Sequence, residues 1–107
     1  MKNRLIDIDG TICTDISNED SHLFPYAEAF EGAKERINRW FDSGDFIIFF
    51  TARLDKDRQS TETWLRENGF KYHYLITNKP RGGNYYHLDN LKGEYHQFNG
   101  DWGEVKD

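Results

Sequence analysis

Carboxylates cluster near the start of the chain, where the stretch "LIDIDGTICTD" places Asp7, Asp9 and Asp15 within nine positions. Asp7 and Asp9 end the apolar run "RLIDID", at the point where a buried strand would leave its sheet. At a fraying strand end, two carboxylates on alternate positions can both point towards one crevice. Carboxylates are ligands that Mg²⁺ prefers, and Mg²⁺ is usually shared with substrate phosphate.

Two other interpretations of this motif are a calcium loop and an ordinary turn. A calcium loop of the EF-hand type needs Gly at its sixth position and Glu at its twelfth. Counted from Asp7, those positions hold Ile12 and Asn18, which excludes it. An ordinary turn stays open, because Asp-Gly signals a turn more often than a site. The functional alternative is that one aspartate attacks phosphorus beside a cation while the other moves protons.

Alternating strand and helix signals favour an α/β fold of the small Rossmann-like type, a three-layer sandwich with a mainly parallel sheet. The polar stretch 11–30 is predicted to be a loop or flap. Ligands of such sheets bind beyond the carboxyl ends of the strands, where Asp7, Asp9, Thr51 and Asp89 would converge. The predicted strands are 4–9, 46–51, 72–77 and 84–90, and the predicted helices run from Glu28 to Phe41 and from about Asp55 to Asn68.

Four motifs, in order, resemble those of the haloacid dehalogenase-like phosphatases. "DIDGT" is similar to the first motif, and "FIIFFTAR" to the second, an apolar strand that ends in Thr51. "NKP" supplies the lysine of the third, Lys79, and "YYHLDN" resembles the fourth, which ends at Asp89. The resemblance covers residues 4–90. It extends less tightly to small phosphatases encoded among bacterial capsule and lipopolysaccharide genes, which implies a phosphorylated sugar as substrate.

The resemblance implies a role for each matched residue. Asp7 would be the nucleophile that forms an aspartyl-phosphate, and Asp9 would protonate the leaving group and then activate water. Lys79 would hold the nucleophile and the phosphate together. The remaining implied contacts are Thr51 and Ala52 on the phosphate, and Asp7, Asp89 and the backbone carbonyl of Asp9 on Mg²⁺.

The chain departs from the family pattern in two ways. The fourth motif is often a pair of aspartates, whereas Asn90 follows Asp89 here and removes one charge, so weaker metal binding is expected. Thr51 lies 42 positions after Asp9, and Lys79 lies 28 positions after Thr51, which leaves too few residues for a cap domain in either interval. A capless site either accepts large substrates or is closed by a neighbouring subunit, which makes a homo-oligomer an expectation.

Composition sets the broad class of the chain. A single domain is expected over residues 1–107, with a core at 4–90 and an unassigned tail at 91–107. The net charge of −5 argues against a membrane surface or general nucleic-acid binding as partner, but leaves a local basic patch open. The single cysteine, Cys13, and the absence of an apolar leader or membrane-length run favour a cytoplasmic location.

The leading prediction is therefore a Mg²⁺-dependent phosphomonoester hydrolase acting on a small phosphorylated sugar or related metabolite. A phosphatase of nucleotides or polynucleotide ends is an alternative. A second is a non-hydrolytic Mg²⁺- or phosphate-binding signalling domain, although the acid/base at Asp9 would shorten the life of a phospho-aspartate. Arg53 and Arg81 are expected to contact the substrate, with a surface salt bridge and a plain loop as the respective alternatives.

Overall fold

The sheet forms because three short runs rich in apolar residues pair side by side. The computed structural model describes residues 1–107, and its three strands are parallel, in the order β1-β2-β3. Ile6 lies opposite Phe49, which in turn lies opposite Leu75, so these side chains share one face. The strands are β1 (Asn3–Ile6), β2 (Phe46–Phe50) and β3 (Tyr74–Ile76), and the helices are α1 (Ala33–Asp42) and α2 (Arg58–Glu67).

Both helices pack against that face of the sheet. Ile37 and Trp40 of α1 join Trp64 and Leu65 of α2 in one buried cluster, which also contains the inward side chains of all three strands. Crossovers of one hand that move in one direction place their helices on the same side. The α/β class, the parallel sheet and the absence of a cap are thus confirmed. The expected third layer is not formed, and Leu5 and Tyr74 stay exposed on the opposite face.

Three short 3-10 segments accompany the two α-helices, and one of them, at Asp55–Asp57, forms the start of the helix predicted from about Asp55. The stretch Asn18–Tyr26, here called the flap segment, lies within the predicted loop 11–30. Shorter 3-10 turns are found at Asp55–Asp57 and Trp102–Glu104. No helix of the chain is both long enough and apolar enough to span a membrane.

The prediction of a fourth strand at 84–90 is wrong. These residues form no strand, and Tyr86 and Leu88 are almost fully exposed. Tyrosine and leucine suit a strand only where a neighbouring strand accepts their backbone hydrogen bonds and a core covers one face. Neither condition is met here, so the β-forming composition of the segment does not determine its conformation.

Candidate functional site

A cleft of about 370 Å³ opens where the three strands end. Asp7 and Asp9 follow β1, Ala52 and Arg53 follow β2, and Lys79 follows β3. Because parallel strands end at the same edge, residues distant in sequence meet there. The cleft collects six of the eight predicted site residues, namely Asp7, Asp9, Ala52, Arg53, Lys79 and Arg81.

Asp7 presents a partly free carboxylate to the cleft, with a cation beside it. Its side chain is 37% exposed, and its Oδ1 lies 3.4 Å from Nζ of Lys79. The Thr11 hydroxyl donates to Oδ2 at 3.1 Å. Thr11 reaches back because Gly10, at φ 79°, turns the chain sharply after Asp9. An oriented carboxylate with a neighbouring ammonium can attack an electrophile that carries negative charge.

Lys79 is positioned by an unusual turn after β3. Asn78 adopts the left-handed conformation, with φ 62°, which asparagine tolerates better than most residues. The Asn78 N–H donates to the Arg53 carbonyl and the Lys79 N–H to the Thr51 carbonyl, both at 2.9 Å. These bonds fasten the turn to the end of β2 and direct the Lys79 side chain towards Asp7.

The structure gives Arg53 a partner other than the one expected. Its side chain is fully buried, and its Nη2 and Nε donate to the two oxygens of Asp9 at 2.8 and 2.9 Å. Nη1 donates to the Thr61 hydroxyl at 3.2 Å. Arg53 therefore forms a buried salt bridge rather than a surface one, and three of its five side-chain N–H groups are engaged within the protein.

Thr51 and Asp89 do not line the cleft. Thr51 is buried beneath it, where its hydroxyl accepts the Arg53 N–H at 3.1 Å. Asp89 lies in the segment that forms no strand, and it accepts the Leu91 N–H at 2.9 Å. That bond and His87 nearby lower the pKa of the Asp89 carboxyl. Because residues 84–90 form no strand, strand pairing does not hold Asp89 at the edge where Asp7 lies, and its role in metal binding stays a prediction.

Three polar residues of the cleft were not assigned from the sequence: Asp15, Ser17 and Asn18. A Cβ placed on Gly10 would lie 3.6 Å from the Asp15 side chain, so the turn folds Asp15 back beside the aspartate pair. The Asn18 amide donates to the Ala52 carbonyl at 3.0 Å and ties the flap segment to the end of β2. The sequence feature that could have identified Asp15 is its place in the cluster of three aspartates at positions 7, 9 and 15.

Arg81 lies at the rim of the cleft, on the loop that follows Lys79. Its guanidinium is 3.6 Å from the Glu19 carboxylate and more than half exposed. This ion pair joins the loop to the flap segment across the opening. An exposed pair of this kind contributes little to stability, so Arg81 can turn to an incoming anion at small cost.

Cys13 lies directly behind the aspartates and is fully buried. Burial, followed by the negative charge of Asp9, raises the pKa of its thiol to about 12. The thiolate is the reactive form of cysteine, and it is scarce near neutral pH under these conditions. Cys13 therefore serves packing rather than chemistry.

The donor chemistry of the cleft fits Mg²⁺. This ion is commonly held by one or two carboxylates, with waters and substrate phosphate completing its shell. Asp7 and Asp15 line the cleft and are not bound by arginine. Both Asp9 oxygens are occupied by Arg53, and no three His, Cys, Asp or Glu side chains are grouped to hold a metal. The carboxylates that the cleft offers to a cation are therefore those of Asp7 and Asp15, whereas Asp7 and Asp89 were predicted.

A family model described as "PITM 1-3, LNS2 domain" matches residues 5–95, most of the chain. The chain belongs to this LNS2 domain family. The family has the haloacid dehalogenase-like phosphatase fold, which points to a phosphatase in general terms. The narrower likeness to capsule and lipopolysaccharide phosphatases is not supported by this match.

One solved structure has a similar fold. The crystal structure of an MCSG target from Vibrio cholerae is 18% identical, with a TM-score of 0.60. The alignment covers 83% of this chain and 80% of that one, and at this identity it shows the fold alone. No curated protein matches the chain.

Proposed function

We propose that this LNS2 domain is a Mg²⁺-dependent phosphomonoester hydrolase that works through an aspartyl-phosphate. The observation that carries the proposal is the Asp7 carboxylate, open to the cleft and 3.4 Å from the Lys79 ammonium. Such a pair supplies a nucleophile together with a positive charge for the phosphoryl oxygens. Phosphoryl transfer depends mainly on positioning and electrostatic stabilisation, which this arrangement provides.

In the first step, an Asp7 oxygen attacks phosphorus and the bond from phosphorus to the ester oxygen breaks. Asp9 gives its proton to the departing oxygen, which leaves as an alcohol. In the second step, Asp9 takes a proton from water, whose oxygen attacks the aspartyl-phosphate and releases inorganic phosphate and Asp7. Each Asp9 oxygen has a second lone pair, which can take the proton while Arg53 stays bonded to both oxygens.

Asp7, Asp15 and the backbone carbonyl of Asp9 would hold Mg²⁺, and Asp89 stays a predicted further ligand. When bound, the ion offsets negative charge on the transferring phosphoryl group. The substrate is proposed to be a small phosphorylated sugar or related metabolite. Arg81, Ser17 and Asn18 also line the cleft and would contact the substrate's leaving group.

Phosphate release from sugar phosphates, nucleotides and end-phosphorylated oligonucleotides, with and without Mg²⁺, tests the proposal. Asp7→Asn is expected to lower turnover by about 10⁴-fold, because it removes the nucleophile while keeping its shape. Asp42→Asn, an exposed carboxylate on α1 that pairs with Lys71, is the matched control and should leave turnover unchanged.

The outcomes separate the candidate functions. Metal-dependent turnover of sugar phosphates, lost in Asp7→Asn alone, supports the proposal. A clear preference for nucleotides or oligonucleotide ends would replace the substrate class but keep the reaction. Mg²⁺ binding without turnover on any substrate would contradict hydrolysis and favour a phosphate-binding domain.

A further inference from the structure

Arg53 is the largest fully buried side chain of the molecule. Both Asp9 oxygens accept from it, the Thr61 hydroxyl accepts from Nη1, and its Cζ lies 3.8 Å from the centre of the Phe24 ring. A buried cation is costly unless it is paired and hydrogen-bonded, and Asp9 is the only carboxylate that pairs with it.

The ion pair fixes the orientation of the Asp9 carboxylate. A bidentate pair fixes the plane of the carboxylate as well as its position, because two parallel N–H groups bind its two oxygens. The Asp9 side chain is 15% exposed and so retains a small opening towards the cleft. Rotation of the carboxylate away from that opening would break at least one bond to a buried guanidinium.

The flap segment covers the Arg53 guanidinium. Phe24 is fully buried and stacks on the guanidinium, while Asn18 of the same segment is bonded to the Ala52 carbonyl. An aromatic face can stabilise a cation while excluding water from it. Exclusion of water strengthens the attraction between Arg53 and Asp9 and keeps the geometry of the pair constant.

We propose that Arg53 is a positioning residue, which orients Asp9 for proton transfer to the leaving group without touching the substrate. The inference rests on the proposed function. Within that function, the orientation of Asp9 by Arg53 is what allows the protein to use substrates with poor leaving groups. An alkoxide leaving group needs a well-placed proton, whereas p-nitrophenolate leaves with little help. A salt bridge that served folding alone would affect both kinds of substrate equally.

The test compares two substrates in Arg53→Met and Arg53→Lys. Methionine keeps much of the apolar volume without the charge, and lysine keeps the charge but cannot bind both oxygens in a fork. For a sugar phosphate, Arg53→Met is expected to lower kcat/KM by about 100-fold, because Asp9 is no longer held in position to act as the general acid. For p-nitrophenyl phosphate the loss should stay below about 10-fold, and lysine should restore part of the difference.

Equal losses on the two substrates, or no loss on either, would overturn the positioning role. If Arg53→Met does not fold, Arg53→Lys alone gives the same comparison, since it should still lower the ratio of the two kcat/KM values. Circular dichroism of each variant shows whether it is folded before its kinetics are compared.

A second measurement separates failure of this inference from failure of the proposed function. The second measurement is the thermal unfolding of Arg53→Lys, Asp9→Asn and the double variant. The fall in Tm of the double variant should be clearly smaller than the sum of the two single-variant falls, because both substitutions disrupt the same ion pair. Additive losses would show that the pair does not form and would overturn the inference. A non-additive result with no wild-type turnover would reject the phosphatase, and with it a positioning role in catalysis.

Discussion

At the residue scale, Asp45 illustrates how a single buried charge depends on its partners. It precedes β2 and is buried at the edge of the sheet opposite the cleft. Arg4 Nε donates to it at 2.7 Å and the Lys2 backbone N–H at 2.9 Å. These bonds, that of Arg4 above all, hold the pKa of the Asp45 carboxyl below its usual value.

A lowered folded-state pKa stabilises the protein above the unfolded pKa of about 3.9, and this contribution is lost as pH falls through the folded value. Asp45→Asn should therefore reduce the free energy of unfolding at pH 7 by about 2 kcal/mol, as charge-assisted hydrogen bonds are lost. Urea unfolding between pH 7 and pH 3 should show the variant and the wild type converging below about pH 4. A constant difference across that range would show that the charge of Asp45 is not responsible.

At the element scale, the turn after β3 links backbone strain to the site. Asn78 is left-handed, and its side-chain carbonyl accepts the Asp55 N–H at 3.0 Å. Asn78→Gly keeps the backbone conformation and loses that bond, for a cost of about 1 kcal/mol. Asn78→Ala loses the bond and adds the left-handed penalty, for about 2–3 kcal/mol in total.

Denaturant unfolding of the two Asn78 variants measures this difference, and phosphate release shows whether Lys79 moves. The alanine variant should lose more of both stability and turnover than the glycine variant. If alanine and glycine are equivalent, the left-handed turn does not set the position of Lys79.

An element could be predicted from the sequence when neighbouring residues alone determine it. The three strands and two helices could be predicted because apolar runs and helical spacing are properties of neighbouring residues. The strand at 84–90 was wrong because strand formation also needs a partner edge, which no local pattern reports. Asp7, Asp9 and Lys79 were brought together as the motif order implied. The contact between Arg53 and Asp9 spans 44 positions and had no signal in the sequence.

At the scale of the whole molecule, the C-terminal tail contacts the turn that follows β1 and helix α1. Trp102 is 5% exposed and packs against Trp40 of α1, and its indole N–H donates to the Thr11 carbonyl at 2.8 Å. The Thr11 hydroxyl in turn donates to Asp7. The tail that could not be assigned from the sequence thus supports the turn that follows Asp7, the proposed nucleophile.

Trp102→Ala should therefore lower the free energy of unfolding by about 3–5 kcal/mol, through a cavity against α1, and should also lower turnover. Trp102→Phe keeps most of the packing but removes the indole donor, at a cost of about 1 kcal/mol. Urea unfolding gives both free energies, and phosphate release at a temperature where both variants are folded gives their activities. The indole hydrogen bond affects Asp7 only through Thr11. Trp102→Phe should therefore lower kcat, whereas KM should change less. Unchanged kcat in that variant would restrict the tail to a role in stability.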